Sequence, residues 1–218
     1  MTNFEIIDKV WSVSRYYGNT LSEILQLSEE SPQLATSMLL LIFENICRIK
    51  LDDYNISSIN LYNKLFENGY INSSEHNFIN NEINSLRIVR NKMAHRNAIK
   101  YSFVFKENGK EIIYPFTEKS TWRLFFKKYS NAILRIVYNL FCNDILGFLP
   151  IETIREISKC DIKLKELTVR EIFELKGFSN NDIDKIISKT TSESEQYILA
   201  ENASDIPILS LIFKNLLK

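Results

Sequence analysis

The chain has 218 residues but only 5 glycines and 4 prolines. Folds with many tight turns use these residues heavily, so an all-β architecture is excluded. Cysteine is also scarce, with Cys47, Cys142 and Cys160 alone. An odd number without paired metal spacing excludes a disulfide framework and a cysteine-based zinc site, and suits a reducing cytosol. Only two histidines occur, His76 and His95. That excludes a histidine-rich metal centre, and no cofactor is expected. The longest strictly apolar run, Met38 to Phe43, falls far short of the about 20 residues a membrane helix needs. The first residues, Met-Thr-Asn-Phe-Glu, lack the basic and apolar regions of a signal peptide. The expectation is a cytoplasmic protein without a membrane partner. Lys+Arg and Asp+Glu both number 27, so a globally basic nucleic-acid coat is excluded and a local basic patch is not.

What remains is ordinary globular composition, 45% hydrophobic and 25% charged. A chain this long buries about 70% of its unfolded surface and needs no covalent staples. Each glycine stands where a helix would stop, so the reading is mainly helical. Helices are expected over about 3–17 (a Thr2/Glu5 capping box, Gly18 as the stop), 21–29 (a Thr20/Glu23 box), 31–51 (Pro32 at the first position) and 57–68. A longer helix should run from Asn72 to about Asn97. Ile79, Ile83, Leu86, Val89 and Met93 recur there at steps of 4, 3, 3 and 4, one apolar stripe. The period then changes to two. Tyr101 to Phe105 and Ile112 to Tyr114 flank Asn108-Gly109, the signature of a β-hairpin over about 101–116. A long helix follows over about 119–145, its aromatics serving the core or a dimer interface. After Gly147-Phe148-Leu149-Pro150 short helices are expected at 151–158, 168–176, 180–189, 193–201 and 207–217. The organisation is a helical domain over 1–148 and a small helical accessory region over 149–218.

Chemistry concentrates in one segment. From Ile83 to Lys106 there is no acid, while Arg87, Arg90, Lys92, Arg96, Lys100 and Lys106 all occur. A run of one sign is commonly a solvated face. The histidine inside it changes the balance. Neighbouring cations favour the neutral imidazole, the usual acid–base group at neutral pH. Asn91 and His95 are i and i+4 and share a helix face. Arg90 and His95 lie about 140° apart around the axis. One helix thus makes a loose site; two copies across a two-fold axis would make a tight one.

The segment Leu61-Tyr-Asn-Lys-Leu-Phe-Glu-Asn-Gly69-Tyr-Ile71, a long helix, and Leu86-Arg-Ile-Val-Arg90-Asn91-Lys-Met-Ala94-His95-Arg96 together resemble the HEPN superfamily. These are helical domains whose hallmark is an Arg, a polar residue, a few more residues and a His. The apolar helix ending Leu41-Ile-Phe-Glu44-Asn-Ile-Cys-Arg48 resembles the helix that precedes the motif. The resemblance covers roughly residues 30–145. It implies an up-and-down helical bundle carrying a metal-independent endoribonuclease, a homodimer that cuts RNA, tRNA among the candidates, by attack of the 2′-hydroxyl. His95 would be the acid–base group, Arg90 would stabilise the developing phosphorane charge, and Asn91 would orient His95 or the phosphate. Arg87, Lys92, Arg96 and Lys100 would bind substrate. Glu44 would support the site from behind, through Arg48 or Arg90, against the plainer reading of a helix-face salt bridge. Many family members are toxins or phage-defence effectors held by an antitoxin or another regulatory protein. Some carry a modifiable Tyr two residues after the His; here that position is Asn97.

Two other classes stay open. A catalytically inactive module of the same kind would bind a partner or RNA. A DNA-binding regulator would work through the tail, where Leu167 to Ile187 resembles a helix-turn-helix. Against that, Phe173 occupies a position that usually holds a small residue, and the reading helix carries Asp182 and Asp184. His76 is expected at the surface or in a first helical turn, and Tyr101 at the start of a strand.

Overall fold

The computed structural model describes residues 1–94, 98–107, 109–146, 162–190, 192–207 and 210. The fold is mainly α with one small antiparallel sheet. The helices are α1 (Asn3–Val13), α2 (Arg15–Glu30), α3 (Pro32–Leu51), α4 (Ser58–Glu67), α5 (Ser73–Asn80), α6 (Leu86–Ala94) and α7 (Lys119–Leu146). Strands β1 (Tyr101–Glu107) and β2 (Lys110–Pro115) form the expected hairpin, after a single 3₁₀ turn at Ala98–Lys100. Its register pairs Ser102 with Pro115 and Glu107 with Lys110, and Gly109 takes φ +79° in the connection. Beyond it come β3 (Leu164–Glu166), α8 (Val169–Leu175), α9 (Asn180–Lys189) and α10 (Glu193–Asn202).

The sheet lies against α7 because alternate residues of β1 share one face. Phe103 and Phe105 use that face. The Phe103 ring centroid is 4.6 Å from Phe125 and 5.5 Å from Trp122, and Phe105 lies 6.3 Å from Tyr129. The buried indole Nε1 of Trp122 donates to the Phe116 carbonyl at 2.6 Å. The aromatics of α7 are therefore core. The structure adds a third strand to the hairpin: β3 pairs with β1 from Tyr101↔Glu166 to Phe103↔Leu164, giving the order β2-β1-β3. Three residues carry too little alternation to be read from sequence. The C-terminal helices close over a second apolar cluster of Leu167, Ile172, Phe173, Ile183 and Tyr197, joined by Ile99. The helices expected at 151–158 and across most of 207–217 lie outside the described residues.

Two boundaries differ from the sequence reading, each for a physical reason. Gly18 does not end a helix. Ser14 breaks the chain instead, and its hydroxyl accepts from the Tyr17 amide to start α2. Gly18 is buried within α2, where a Cβ would stand 2.4 Å from Trp11 Cβ on α1. The glycine lets the two helices approach. Gly18→Ala gains helix propensity of about 1 kcal/mol, but the overlap involves Trp11 backbone as well as side chain. Overpacking of about 1–3 kcal/mol should win. The expected result is a lower urea midpoint with an unchanged m-value.

The second difference is the long helix over 72–97. Over its described residues, as far as Ala94, it is two helices, α5 and α6, separated at Asn81–Ser85; the last part of the expected span, 95–97, lies outside the described residues. Asn81 Oδ1 accepts from the Ile83 and Asn84 amides at 2.9 and 3.1 Å. Ser85 Oγ accepts from the Ile88 amide at 3.4 Å and so caps α6. Such side chains compete with the helical ladder for backbone groups. Ile83, one rung of the expected stripe, is 70% exposed, while Ile79, Leu86 and Val89 are buried.

The start of α5 follows the sequence reading. Asn72 and Glu75 form a capping box in which the Asn72 amide donates to Glu75 Oε2 at 2.8 Å. Glu75 is buried, and burial pushes its carboxyl above the ordinary range; its hydrogen bonds to Asn72 and Asn139 oppose the shift. A carboxyl raised in the folded state holds its proton longer than in the unfolded chain. It therefore costs stability as pH rises from the unfolded value through the folded one. Glu75→Gln keeps the capping acceptor and removes the charge. Denaturant midpoints between about pH 4 and pH 7 should show the variant gaining on the wild type as pH rises.

Candidate functional site

Three helices bring the site together. On α3, Glu44 and Arg48 are i and i+4 and face the same way. Glu44 is only 6% exposed. A carboxylate that deep needs partners, and it has three. Arg48 Nη2 donates to Glu44 Oε1 at 2.7 Å. The Ser58 hydroxyl, at the start of α4, donates to the same oxygen at 3.1 Å. Arg90 Nη1, from α6, forms an ion pair with Glu44 Oε2 at 3.2 Å. That last contact lacks hydrogen-bond alignment, and both Glu44 Oε2 and Arg90 Nε stay without a hydrogen bond. We read it as an electrostatic pair rather than a bidentate one. Arg90 Nη2 also donates to Ser58 Oγ at 2.8 Å, which closes the ring.

The loop after α3 completes the frame. Asp52 adopts the left-handed conformation, φ 49°, and its amide donates back to the end of α3. The chain then turns so that Arg48 Nη1 donates to the carbonyls of Tyr54 and Ile56, at 3.1 and 2.6 Å. Arg48 is thus satisfied on both sides. Arg90 differs: its side chain is 36% exposed while its inner edge is anchored. The cluster holds two guanidinium groups against one carboxylate, so it keeps a positive charge at the surface.

The remaining expected site residues divide. Asn91 lies half-buried on α6. His95 and Arg96 lie outside the described residues. Arg87 turns toward α5, where its Nε donates to Asn80 Oδ1 at 2.6 Å. Lys92 Nζ donates to the Tyr101 hydroxyl at 2.8 Å and lies 4.1 Å from that ring's centroid. Lys100 Nζ sits 4.0 Å from the Tyr197 ring centroid and 3.9 Å from Glu193. Of the expected site residues that are described, Arg90 is the one brought to Glu44, beside Arg48 and Ser58. Lys92 and Lys100 are engaged with the sheet and the C-terminal helices. His76 is in the first turns of α5, stacked on Phe66 at 4.8 Å, and burial holds its imidazole below the ordinary value. Tyr101 does begin a strand.

Sequence reasoning offered Arg48 or Arg90 as a partner for Glu44, and the structure pairs it with both; it missed Ser58. A serine next to the N-cap Ser57 reads as helix-start chemistry, and nothing in its spacing points across to Arg90. The tail helices α8 and α9 join through Gly177 at φ +84°. Phe173 is buried between them, and on α9 Asp184 pairs with Arg170.

Among the described residues, no three His, Cys, Asp or Glu side chains gather as a metal set, and no helix is long and apolar enough to cross a membrane. No protein-family model, curated protein or solved structure matches the chain.

Proposed function

We propose that the protein is a metal-independent endoribonuclease of HEPN type, a homodimer that acts as a toxin or phage-defence effector under the control of an antitoxin or other regulatory protein. The observation that carries this reading is Arg90. It heads the Arg90-Asn91-x3-His95 motif, sits in a stretch without acids, and is fixed from behind by Glu44 and Ser58 while a third of its side chain meets solvent. A planar, permanently charged donor held in one orientation suits charge that develops on a phosphorane.

In this mechanism the 2′-hydroxyl of the RNA attacks the adjacent phosphorus. The imidazole of His95 takes or returns the proton. Arg90 receives the negative charge on the non-bridging oxygens, and Asn91 orients His95 or the phosphate. The 5′ oxygen of the next nucleotide leaves. The products are a 2′,3′-cyclic phosphate and a 5′-hydroxyl, and DNA, without a 2′-hydroxyl, is not cut. Arg87, Lys92, Arg96 and Lys100 are the substrate-binding residues of this reading and add positive charge along the path of the strand. Glu44 is a positioning residue that acts through Arg90. The test is cleavage of total RNA and tRNA in EDTA, with the product ends identified.

One observation favours a second reading. The same Glu44–Arg90–Ser58 ring would hold the α3, α4 and α6 helices together in a catalytically inactive module that binds a partner or RNA. A folded dimer that binds RNA and leaves it whole would select that reading.

A further inference from the structure

A cavity of about 410 Å³ opens between α4, α5 and the start of α6. It falls in the size range of small-ligand sites, yet its wall is polar: Asn63, His76, Asn77, Asn80 and Arg87 line it, with Ile59 as the apolar side and Glu82 at its edge. The wall is internally ordered. Asn63 Oδ1 accepts from Asn80 Nδ2 at 2.9 Å and lies 2.9 Å from His76 Nε2. Asn80 in turn accepts from Arg87 Nε. Because Asn63 Oδ1 can only accept, His76 carries its proton on Nε2 and keeps Nδ1 as an acceptor. Among the described residues the Asn63 amide hydrogens and the Arg87 terminal nitrogens have no partner, which leaves them for a ligand. Phe66 covers one face of the His76 ring.

We infer that this cavity is a base-recognition pocket for a guanine of the RNA strand. Single-stranded RNA is read by stacking on aromatic or guanidinium planes and by hydrogen bonds to exposed base edges. Guanine offers acceptors at O6 and N7, which Arg and amide donors match, and N–H donors at N1 and N2, which a carboxylate such as Glu82 matches. Adenine and cytosine present an amino group where guanine has O6, and so meet donor with donor; uracil keeps a carbonyl there but lacks the N7 acceptor and the N2 amino group. Placement agrees. Arg87 is one helical turn before Arg90, about 4.5 Å of rise, and Ile59 adjoins the Ser58 that holds Arg90. A base in the pocket would thus belong to a nucleotide next to the phosphate at Arg90. The RNA-strand part of this inference rests on the ribonuclease reading; the pocket's preference for guanine does not.

The experiment titrates GMP, AMP, CMP and UMP separately into the full-length protein and follows the imidazole ¹H–¹⁵N resonances. Only two histidines occur, so His76→Gln assigns the ring. GMP should shift the His76 signals saturably, with the other three at least about tenfold weaker. Asn63→Ala and the exposed Asn77→Ala should each weaken GMP by about tenfold. No saturable shift with GMP, an equal response to all four, or a response unchanged in both variants overturns the pocket. A second arm maps cuts in RNA. Cutting beside guanine that becomes indiscriminate in Asn77→Ala supports the strand assignment. Cutting without base preference overturns it. GMP binding by a protein that neither binds nor cuts RNA keeps the pocket and removes the ribonuclease.

Discussion

His95→Ala and Arg90→Ala are each expected to lower RNA cleavage in EDTA by at least about a hundredfold. A positioned acid–base group contributes about 10²–10⁴, and loss of one donor to developing charge costs about 10²–10³ in kcat. The two should fail differently. Arg90 also bonds Ser58 and pairs with Glu44, so Arg90→Ala leaves a buried carboxylate with one cation fewer and should melt lower. Circular dichroism at the assay temperature separates a dead site from an unfolded one. Arg90→Lys keeps the charge but cannot reach Glu44 and Ser58 with two nitrogens and still face substrate; its activity should fall between the wild type and Arg90→Ala. Cleavage that persists at the wild-type rate in folded His95→Ala removes the mechanism.

The fold was legible where local chemistry and tertiary packing agree. Thr2 with Glu5, Asn72 with Glu75, Pro32 at a first turn and Asn108-Gly109 between two apolar runs each mark a boundary that the structure places within a residue or two. It was illegible where a short-range pattern had two meanings. Gly18 reads as a stop, yet its purpose is the approach of Trp11 across a helix pair. Ile83 completes a helical stripe on paper, yet Asn81 and Ser85 spend their side chains on the backbone around it and turn it outward. In the candidate site, a lone carboxylate in the most apolar helix was a strong signal, because burial demands partners wherever they come from. Ser58 gave none, because its contacts with Glu44 and Arg90 join residues 14 and 32 positions away.

Glu44→Ala is expected to destabilise the protein by about 3 kcal/mol, read from chemical denaturation at neutral pH. Breaking a buried ion pair by removing one partner costs about 3–5 kcal/mol, since the other charge is left in a poorly solvated place. Here the low end applies. Arg48 keeps the carbonyls of Tyr54 and Ile56, and Arg90 keeps Ser58 and reaches water. Against a typical total of about 5–15 kcal/mol the loss is large. Glu44→Gln retains an acceptor for Arg48 and Ser58 and should cost less. Its informative effect is kinetic. If Glu44 orients Arg90, the glutamine variant should lower kcat with KM little changed, because the lost interaction matters most when charge develops. A cost below about 1 kcal/mol for Glu44→Ala would place the cluster with ordinary surface salt bridges. A large cost with unchanged kcat in Glu44→Gln would make it a clamp between α3, α4 and α6 alone. Only a stability loss in the first variant joined to a kcat loss in the second ties the buried carboxylate to the part-exposed guanidinium it holds.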